Sequence, residues 1–353
     1  MFSGFTVKSK VIGDYKVLFI EDQRVYLKLT ASADALFIID RHVFNLFKSE
    51  MKEILDSARY ILIDCDEKHK TVDYSQEVIR ELIQQNVRKD DTLVAIGGGI
   101  TQDIVAFISS ILYRGVKWKF YPTTLLAQCD SCIGSKSSIN FDQFKNLLGT
   151  FNPPVEIFIY SGFLKTLSNS EIRSGIGEML HYFFTEGVEI AQQVSDKFDC
   201  LLTDRALLPF FINNSLRIKK KIIEIDEFDT SIRHIFNYGH TFGHAIEAIT
   251  DYSIPHGQAI SIGMDLANFI SLELGMMTKE DFEIMNQILV NNIPEFRITP
   301  ENIDLYCAAL ARDKKNKDSK LGCILSRGPG KVEKTFLTID ESLQHLILKY
   351  FSR

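Results

Sequence analysis

The sequence predicts a chain in two parts, an α/β domain with a mostly parallel sheet followed by an all-α domain. The first observation is that short apolar runs rich in β-formers alternate with segments of helical period up to about residue 160. The second is that nearly every segment after about residue 168 has a helical period. Strands that alternate with helices favour parallel pairing. We therefore predict an α/β domain over residues 1–165 and a helical domain over residues 166–353.

The individual elements follow from the spacing of their apolar residues. Thr92–Ile96 is a short apolar run that leads directly into three glycines, and Ser75–Asn86 repeats its apolar residues with the period of a helix. The predicted strands are 36–40, 60–65, 92–96, 117–121 and 156–160, with helices at 75–86 and 102–113 in the first part. The predicted helices of the second part are 170–186, 205–225, 240–250, 257–275, 279–291, 301–311 and 340–350.

Composition and charge exclude several classes of protein. Lys and Arg number 40 and Asp and Glu 46, so the net charge is −6, which argues against a nucleic-acid binder. No apolar run reaches the roughly 18 residues of a membrane span, and the N-terminus lacks the apolar core of a secretory signal. Six scattered cysteines indicate reduced thiols in a cytoplasmic protein. Cys129 and Cys132 form an isolated CxxC, for which a redox or zinc role is the alternative.

Two features of the first part could bind a nucleotide. Glycines at 97–99 follow a predicted strand, and backbone N–H groups at the start of the next helix attract anions. The segment is not a GxGxxG fingerprint, so a tight strand-to-helix turn is the alternative. Asp40 ends a strand, where a carboxylate could hold a ribose hydroxyl or could simply cap a helix.

A histidine cluster is the strongest feature of the second part. His240 and His244 are four residues apart and share one helix face, and His256 follows shortly before another helix. Glu178 lies in an apolar helical stretch, where an unpaired carboxylate would be costly. This pattern predicts a metal or substrate-binding cluster with Glu178 as a further member. The alternatives are capping or core histidines and an exposed helix acid.

Cations beside small polar residues form a third feature. Lys136 and Lys145 lie in a segment rich in Gly, Ser and Asn between apolar stretches, which favours an anion pocket. We interpret Lys220 and Lys221 as solvated surface residues.

Together these segments resemble the sugar phosphate cyclase family, most closely its 3-dehydroquinate synthases. The resemblance is carried by GGGITQD (97–103), PTTLLAQCDSCIGSKSSIN (122–140), KNLLGTFNPP (145–154), GIGEML (175–180), NYGHTFGHAIEA (237–248) and PHGQAISIGM (255–264). It implies an N-terminal NAD-binding α/β domain and a C-terminal helical metal-binding domain.

The resemblance also implies a set of site residues. The metal, Zn or Co, would be held by Glu178, His240 and His256, and His244 matches a phosphate-binding histidine instead. The NAD-contacting positions correspond to Asp40, Glu67, Lys70, Gly98, Gly99, Asp103, Thr123, Thr124, Thr166 and Leu167. The catalytic positions correspond to Lys136, Asn146, Lys219, Arg233, His244 and His181, and the further substrate-binding positions to Arg114, Asp130, Lys145, Asn237 and one lysine of the pair Lys314 and Lys315.

The implied reaction converts 3-deoxy-D-arabino-heptulosonate 7-phosphate into 3-dehydroquinate and phosphate. In the family, NAD+ takes a hydride from the substrate, phosphate leaves by elimination, the hydride returns, and an intramolecular aldol step closes the ring. Arg114 matches an arginine that reaches the phosphate site of a neighbouring subunit, which implies a homodimer.

Three positions depart from the family pattern. His181 stands where the family usually has a lysine, and both Gln102 and Ser135 stand where it usually has a glycine. Gln102 would put a side chain where the backbone approaches the dinucleotide, and His181 would be only partly charged near neutral pH. The rival hypotheses are therefore another sugar phosphate cyclase, a metal-dependent polyol dehydrogenase of similar plan, and a homologue that binds sugar phosphates without turnover.

Overall fold

The computed structural model describes residues 4–56, 58–142, 144–312 and 320–353, and the chain divides into two compact units. The first is Met1–Leu167 with Lys219–Phe228, and the second is Ser168–Ile218 with Asp229–Arg353. The segment Lys219–Phe228 lies within the second domain that the sequence predicts, yet it belongs to the first unit. Lys219 bonds to Asp130, and Ser9 donates to Glu227 at 2.6 Å, so long-range polar contacts hold this segment there.

The first unit is an α/β unit, as predicted. Its elements are β1 (Phe5–Ser9), β2 (Gly13–Phe19), α1 (Gln23–Thr30), β3 (Ala35–Asp40), α2 (Arg41–Leu55), β4 (Arg59–Ile63), α3 (Val72–Gln84), β5 (Thr92–Gly97), α4 (Gly99–Ile111), β6 (Lys117–Pro122), β7 (Ile139–Phe141), β8 (Phe144–Leu148) and β9 (Glu156–Ile159). Within the described ranges, seven strands form one sheet in the order β1-β2-β9-β6-β5-β3-β4. All neighbours pair in parallel except β1 with β2.

Parallel pairing brings the carboxyl ends of the central strands to one edge of the sheet. Ile39 pairs with Ile96, and Gly97 pairs with Pro122, so β3, β5 and β6 end side by side. The strands are buried on both faces, which explains their uninterrupted apolar runs. Ligands of open parallel sheets bind at this edge.

The second unit is built mainly of helices, with α10 at its centre. Its elements are α5 (Asn169–Glu186), α6 (Glu189–Asp196), α7 (Phe198–Thr203), α8 (Leu208–Ile223, whose last residues belong to the first unit), α9 (His240–Ile249), α10 (His256–Glu273), α11 (Lys279–Leu289), α12 (Ile303–Ala311), β10 (Lys320–Ser326), β11 (Val332–Thr338) and α13 (Glu341–Phe351). Every residue of α10 from Gly257 to Ser271 is buried. None of the helices among the described residues combines the length and the hydropathy needed to cross a bilayer.

The antiparallel hairpin of β10 and β11 was not predicted within the helical part. Residues 321–326 are all buried, and Ser326 N donates to Ser271 Oγ on α10 at 3.1 Å. Thr241 Oγ1 on α9 donates to Gly322 O at 3.1 Å. The hairpin therefore completes the core of the second unit beside α9 and α10.

Helix α10 packs backbone against backbone on two neighbouring helices. A Cβ on Gly177 of α5 would lie 1.8 Å from Gly257 O, and one on Gly257 would lie 1.7 Å from Ser174 O. A Cβ on Gly263 would lie 2.1 Å from Gly239 O, just before α9. Cβ contacts under 3.0 Å are essentially never seen, so these close approaches require glycine.

Candidate active site

The turn between β5 and α4 has the geometry of an anion site. Gly98 is the N-cap of α4, and no side chain caps the helix. A Cβ on Gly97 would lie 2.0 Å from Thr101 Oγ1, so the first turn closes tightly over this position. The N–H groups of an uncapped helix start attract negatively charged groups such as phosphate. The structure thus shows the tight turn that the sequence left as one alternative, and anion binding at this turn stays a prediction with which the uncapped helix start is compatible.

Asp40 caps helix α2, which was the alternative to ribose binding. Its Oδ1 accepts from His42 N at 2.8 Å and from Val43 N at 3.5 Å. Burial raises the pKa of this carboxyl, and the two N–H bonds act against that rise. Because both of these bonds use Oδ1, capping and binding of a hydroxyl by the other oxygen are compatible.

Two of the charged residues predicted to contact NAD, Lys70 and Asp103, form an ion pair in the first unit. Lys70 Nζ lies 2.7 Å from Asp103 Oδ2, with side chains that are 9% and 17% exposed. Asp103 also accepts from the backbone N and the hydroxyl of Ser138, and burial raises its pKa against the effect of Lys70. Asn140 Nδ2 donates to Glu67 Oε1 at 2.9 Å. Ser138 and Asn140 order this cluster, although sequence reasoning gave neither of them a role.

The predicted threonines also lie in the first unit. Thr123 N donates to Gly97 O at 2.9 Å, and its buried Oγ1 has no hydrogen-bond partner among the residues described. Thr124 Oγ1 accepts from a backbone N–H three residues later, and Thr166 Oγ1 donates to a carbonyl three residues earlier. Leu167 ends the first unit. The buried hydroxyl of Thr123 is thus able to serve a ligand.

The effect of Gln102 on cofactor approach stays a prediction. Its side chain is buried, with Nε2 donating to Ser131 O at 2.6 Å and Oε1 accepting from Ser131 Oγ at 2.7 Å, and that hydroxyl would lie 3.9 Å from a Cβ on Gly99 at the helix start. The same single-turn π-helix, Ala127–Ser131, carries Asp130. Lys219, with 6% of its side chain exposed, donates to Asp130 O at 2.7 Å and to Asp130 Oδ1 at 2.9 Å.

Ser135 also has a defined role in place of the usual glycine. It has a left-handed φ of 69°, and its hydroxyl donates to the buried Glu227. The adjacent Lys136 is exposed, as are Lys145 and Asn146 on β8. Cys129 and Cys132 are buried and form no disulfide among the residues described, and burial raises the pKa of Cys132 to about 12. A redox or zinc role for this CxxC gains no support from these features.

The histidine cluster of the second unit has the geometry of a metal site. One ring nitrogen from each of His240, His244 and His256 lies within 4.8 Å of the others. Glu178 is 2% exposed, and its Oε1 lies 2.9 Å from His256 Nε2 and 3.6 Å from His240 Nε2. The close backbone contacts of α10 bring these side chains together, because the glycines that make them, Gly177, Gly239 and Gly257, are direct neighbours in sequence of Glu178, His240 and His256.

The charges of the cluster depend on one another. Burial alone would raise the pKa of Glu178, but the imidazoles of His240, His181 and His256 hold that pKa well below its usual range. Burial lowers the pKa of His240 well below its usual value. For His256, the nearby carboxylates of Glu178 and Glu247 outweigh burial and raise the pKa well above its usual value.

Two imidazole nitrogens beside a buried carboxylate fit a divalent metal. Such a donor set is typical of zinc sites that keep a position open for substrate. Oε1 of Glu178 has no hydrogen bond of good geometry within the described ranges, although it is fully buried. A cation held by Glu178, His240 and His256 would satisfy that oxygen, and His244, which is exposed, stands at the edge of the group.

The remaining predicted residues divide between described and undescribed parts of the chain. Arg233 is buried and Asn237 is half-buried in the second unit, where Asn237 Nδ2 donates to His234 O at 3.1 Å. Arg114 is exposed in the first unit and has a left-handed φ of 64°. Lys314 and Lys315 lie outside the described residues.

Glu247 is the residue of this group that sequence reasoning missed. Its Oε1 lies 3.1 Å from His256 Nδ1, on the side of the ring opposite Glu178. The signal was present, because Glu247 follows His240 by seven residues and therefore lies on the same face of α9.

Comparison with known proteins gives concordant matches along the chain. The family model described as 3-dehydroquinate synthase N-terminal matches residues 60–174, and the one described as 3-dehydroquinate synthase C-terminal matches residues 175–316. A 3-dehydroquinate synthase of Helicobacter pylori strain G27 is 33% identical over 341 residues, covering 95% of this chain and 96% of that protein. One from Dictyoglomus turgidum is 39% identical over 292 residues, covering 82% and 81%.

Solved structures show the same fold. The 2-epi-5-epi-valiolone synthase ValA of Streptomyces hygroscopicus subsp. jinggangensis 5008, with NAD+ and Zn2+ bound, has a TM-score of 0.85 at 24% identity over 99% of both chains. A 2-deoxy-scyllo-inosose synthase complexed with carbaglucose-6-phosphate, NAD+ and Co2+ has a TM-score of 0.88 at 22% identity over 98% of this chain and 100% of that chain. At these identities the likeness establishes the architecture.

Proposed function

Because the chain belongs to the 3-dehydroquinate synthase family, we propose that this enzyme converts 3-deoxy-D-arabino-heptulosonate 7-phosphate into 3-dehydroquinate and phosphate. The observation that carries the proposal is the buried Glu178 beside His240 and His256, which has the donor types of a catalytic metal site. The reaction would be a step of the shikimate pathway toward aromatic amino acids.

The cofactors we propose are NAD and a divalent metal, Zn or Co. When bound, NAD carries the hydride away and back while the metal polarises the alcohol oxygen of the substrate. Glu178, His240 and His256 would hold the metal. The uncapped start of α4 at Gly98 and Gly99 would receive the pyrophosphate of NAD. The remaining NAD-contacting residues would be Asp40, Glu67, Lys70, Asp103, Thr123, Thr124, Thr166 and Leu167.

The substrate carries a carboxylate and a phosphate, so its binding requires several cations. Arg233 is buried and offers a planar fork suited to either anion. Lys219 is fixed by two bonds to Asp130, which directs one ammonium group rather than leaving it mobile. The further residues that we assign to substrate binding or catalysis are Arg114, Lys136, Lys145, Asn146, Asn237, His244 and one lysine of the pair Lys314 and Lys315.

We further propose that the protein acts in the cytoplasm as a homodimer. The free cysteines support a reducing compartment. The exposed Arg114, held in a left-handed turn, supports a role at a subunit boundary. Sedimentation equilibrium tests the dimer, and a monomer at micromolar concentration would contradict it.

The experiment that tests the function is a phosphate-release assay. Purified protein with NAD+, Zn2+ or Co2+ and the heptulosonate phosphate should release phosphate and 3-dehydroquinate in equal amounts. NADH should not accumulate, because the hydride returns in each turnover. Net NADH formation would instead indicate a polyol dehydrogenase, and an absence of phosphate release from metal-loaded protein would refute the proposal.

One observation favours a second candidate. His181 stands beside Glu178 where the family has a lysine, so the charge near the metal donors differs. Another sugar phosphate cyclase reaction, on a different heptulose or hexose phosphate, would account for that change. Screening such phosphates in the same assay separates the two candidates.

A further inference from the structure

A chain of four polar side chains runs through the helical unit, and only its two central members are proposed metal donors. His256 Nε2 lies 2.9 Å from Glu178 Oε1 at the centre of this chain. At one end, Glu247 Oε1 lies 3.1 Å from His256 Nδ1. At the other end, His181 Nδ1 lies 3.2 Å from Glu178 Oε2. Each donor is thus contacted from behind by a residue that is not a donor.

We propose that His181 and Glu247 are positioning residues, which orient Glu178 and His256 toward a divalent metal without binding the metal themselves. The inference rests on the proposed function, because it concerns the donors of the metal assigned there.

The tautomer of each imidazole is set by the acceptor that its Nδ1–H contacts. A ring whose Nδ1–H donates to an oxygen carries its lone pair on Nε2, the atom that then binds a metal. Glu247 is the acceptor for His256, and the carbonyl of Tyr238 is the acceptor for His240, at 3.2 Å. In both rings Nε2 faces Glu178. The two imidazoles are therefore held in the same tautomer by acceptors behind them.

The two carboxylate oxygens of Glu178 have different neighbours. Oε1 faces the imidazoles of His240 and His256, whereas Oε2 faces only His181 among the contacts described. His181 is 1% exposed, and neither of its nitrogens makes a hydrogen bond of good geometry within the described residues, so its contact with Oε2 rests on the 3.2 Å distance. Its ring is packed against Tyr182 and lies 6.0 Å from the ring of Phe236. An N–H turned toward Oε2 would leave Oε1 as the single oxygen available to the metal.

If His181 bound the metal as a fourth protein donor, the kind of site would change. Structural zinc sites are closed by four protein ligands, whereas catalytic sites keep an open position for water or substrate. Contact with the carboxylate therefore suits His181 better than contact with the metal. Partners of this kind are worth about 10- to 100-fold in metal affinity.

The test compares pairs of variants that differ in one hydrogen-bonding atom. His181→Phe keeps a ring and removes the N–H, while His181→Asn keeps an N–H close to the position of Nδ1. Glu247→Ala removes the acceptor, while Glu247→Gln retains an oxygen. Co2+ affinity and the visible absorption of the Co2+ protein are measured for each. Asp265→Asn is the matched control, because it alters another buried carboxylate, on α10, which bonds to Asn286 and Tyr350 instead.

We expect His181→Phe and Glu247→Ala to bind Co2+ about 10- to 100-fold more weakly, with an altered spectrum. His181→Asn, Glu247→Gln and the control should stay within about threefold of the wild type, a change well below that range. Wild-type affinity and spectrum in both His181→Phe and Glu247→Ala would overturn the proposal, as would losses in the paired conservative variants equal to theirs. If the wild type binds Co2+ and the variants behave as expected, but no phosphate is released, the positioning inference stands and the proposed reaction fails.

Discussion

Replacement of Gly257 by alanine tests whether the backbone contact between α5 and α10 sets the spacing of the proposed metal donors. The added Cβ would lie 1.7 Å from Ser174 O, and contacts of Cβ atoms are essentially never shorter than 3.0 Å. The start of α10 must therefore move by at least 3.0 − 1.7 = 1.3 Å relative to α5. His256 precedes Gly257, so its Nε2 moves relative to Glu178 Oε1, from which it is now 2.9 Å away.

Metal–ligand distances tolerate deviations of only about 0.2 Å, which is far less than this displacement. We expect the affinity for Co2+ to fall at least about 100-fold, the scale that a misplacement near 1 Å produces in active sites. The free energy of unfolding should change less. Overpacking costs about 1–3 kcal/mol, but alanine recovers up to about 1 kcal/mol over glycine inside a helix.

The assay is a Co2+ titration followed by visible absorption, with urea denaturation of the metal-free protein in parallel. Gly99→Ala serves as the control for metal affinity, since a Cβ there meets nothing nearer than Ser131 Oγ at 3.9 Å. Wild-type Co2+ affinity in Gly257→Ala would refute the reasoning, because it would show that the donors do not depend on this contact.

Three further predictions concern other contacts. Lys219→Met removes both bonds to Asp130 and should lower the free energy of unfolding by about 1–3 kcal/mol, and urea denaturation showing no loss would contradict this. Gln102→Gly removes two hydrogen bonds to Ser131 and puts glycine, a poorer helix former, in place of glutamine, so the free energy of unfolding should fall by about 2 kcal/mol. We expect the affinity for NAD+, measured by calorimetry, to stay unchanged. A marked gain in that affinity would show that Gln102 obstructs the cofactor. Asp265→Asn should change how the free energy of unfolding depends on pH. Burial raises the pKa of Asp265 in the folded state above 3.8, its value in the unfolded chain. The stabilisation from the protonated carboxyl is therefore fully present below pH 3.8 and is lost as pH rises through the raised pKa. The stability of the variant relative to the wild type should therefore increase with pH above about 4, and a difference independent of pH would disprove this assignment.

The sequence was most informative where local pattern and tertiary environment agree. β5 is buried on both faces, so its apolar run and the glycines after it predicted a strand and a turn directly. Glu178 was predicted to be costly in an apolar helix, and it is buried beside the histidines. The helical spacing of His240 and His244 predicted a shared face, and their rings lie 5.3 Å apart.

Other features depend on contacts between residues far apart in the chain. The strands β10 and β11 lie in a part dominated by helical patterns, and their burial depends on α9 and α10. The direction of Gln102 depends on Ser131, which is 29 residues away. Family resemblance predicted only that Gln102 carries a side chain where glycine is usual, and no local pattern contains the partner that fixes the direction of that side chain. Placement of Lys219–Phe228 in the first unit follows from bonds to Asp130 and Ser9, which no local pattern contains.

The distribution of the proposed donors over three helices has a consequence for the folded protein as a whole. Glu178 and His240 are 240 − 178 = 62 residues apart, and His240 and His256 are 256 − 240 = 16 apart. A metal held by all three closes both loops at once and acts as a removable cross-link between α5, α9 and α10. At a free metal concentration 100 times the Kd, this adds about 2.7 kcal/mol to the free energy of unfolding. Metal starvation would therefore reduce the amount of folded protein in the cell as well as the rate of the reaction.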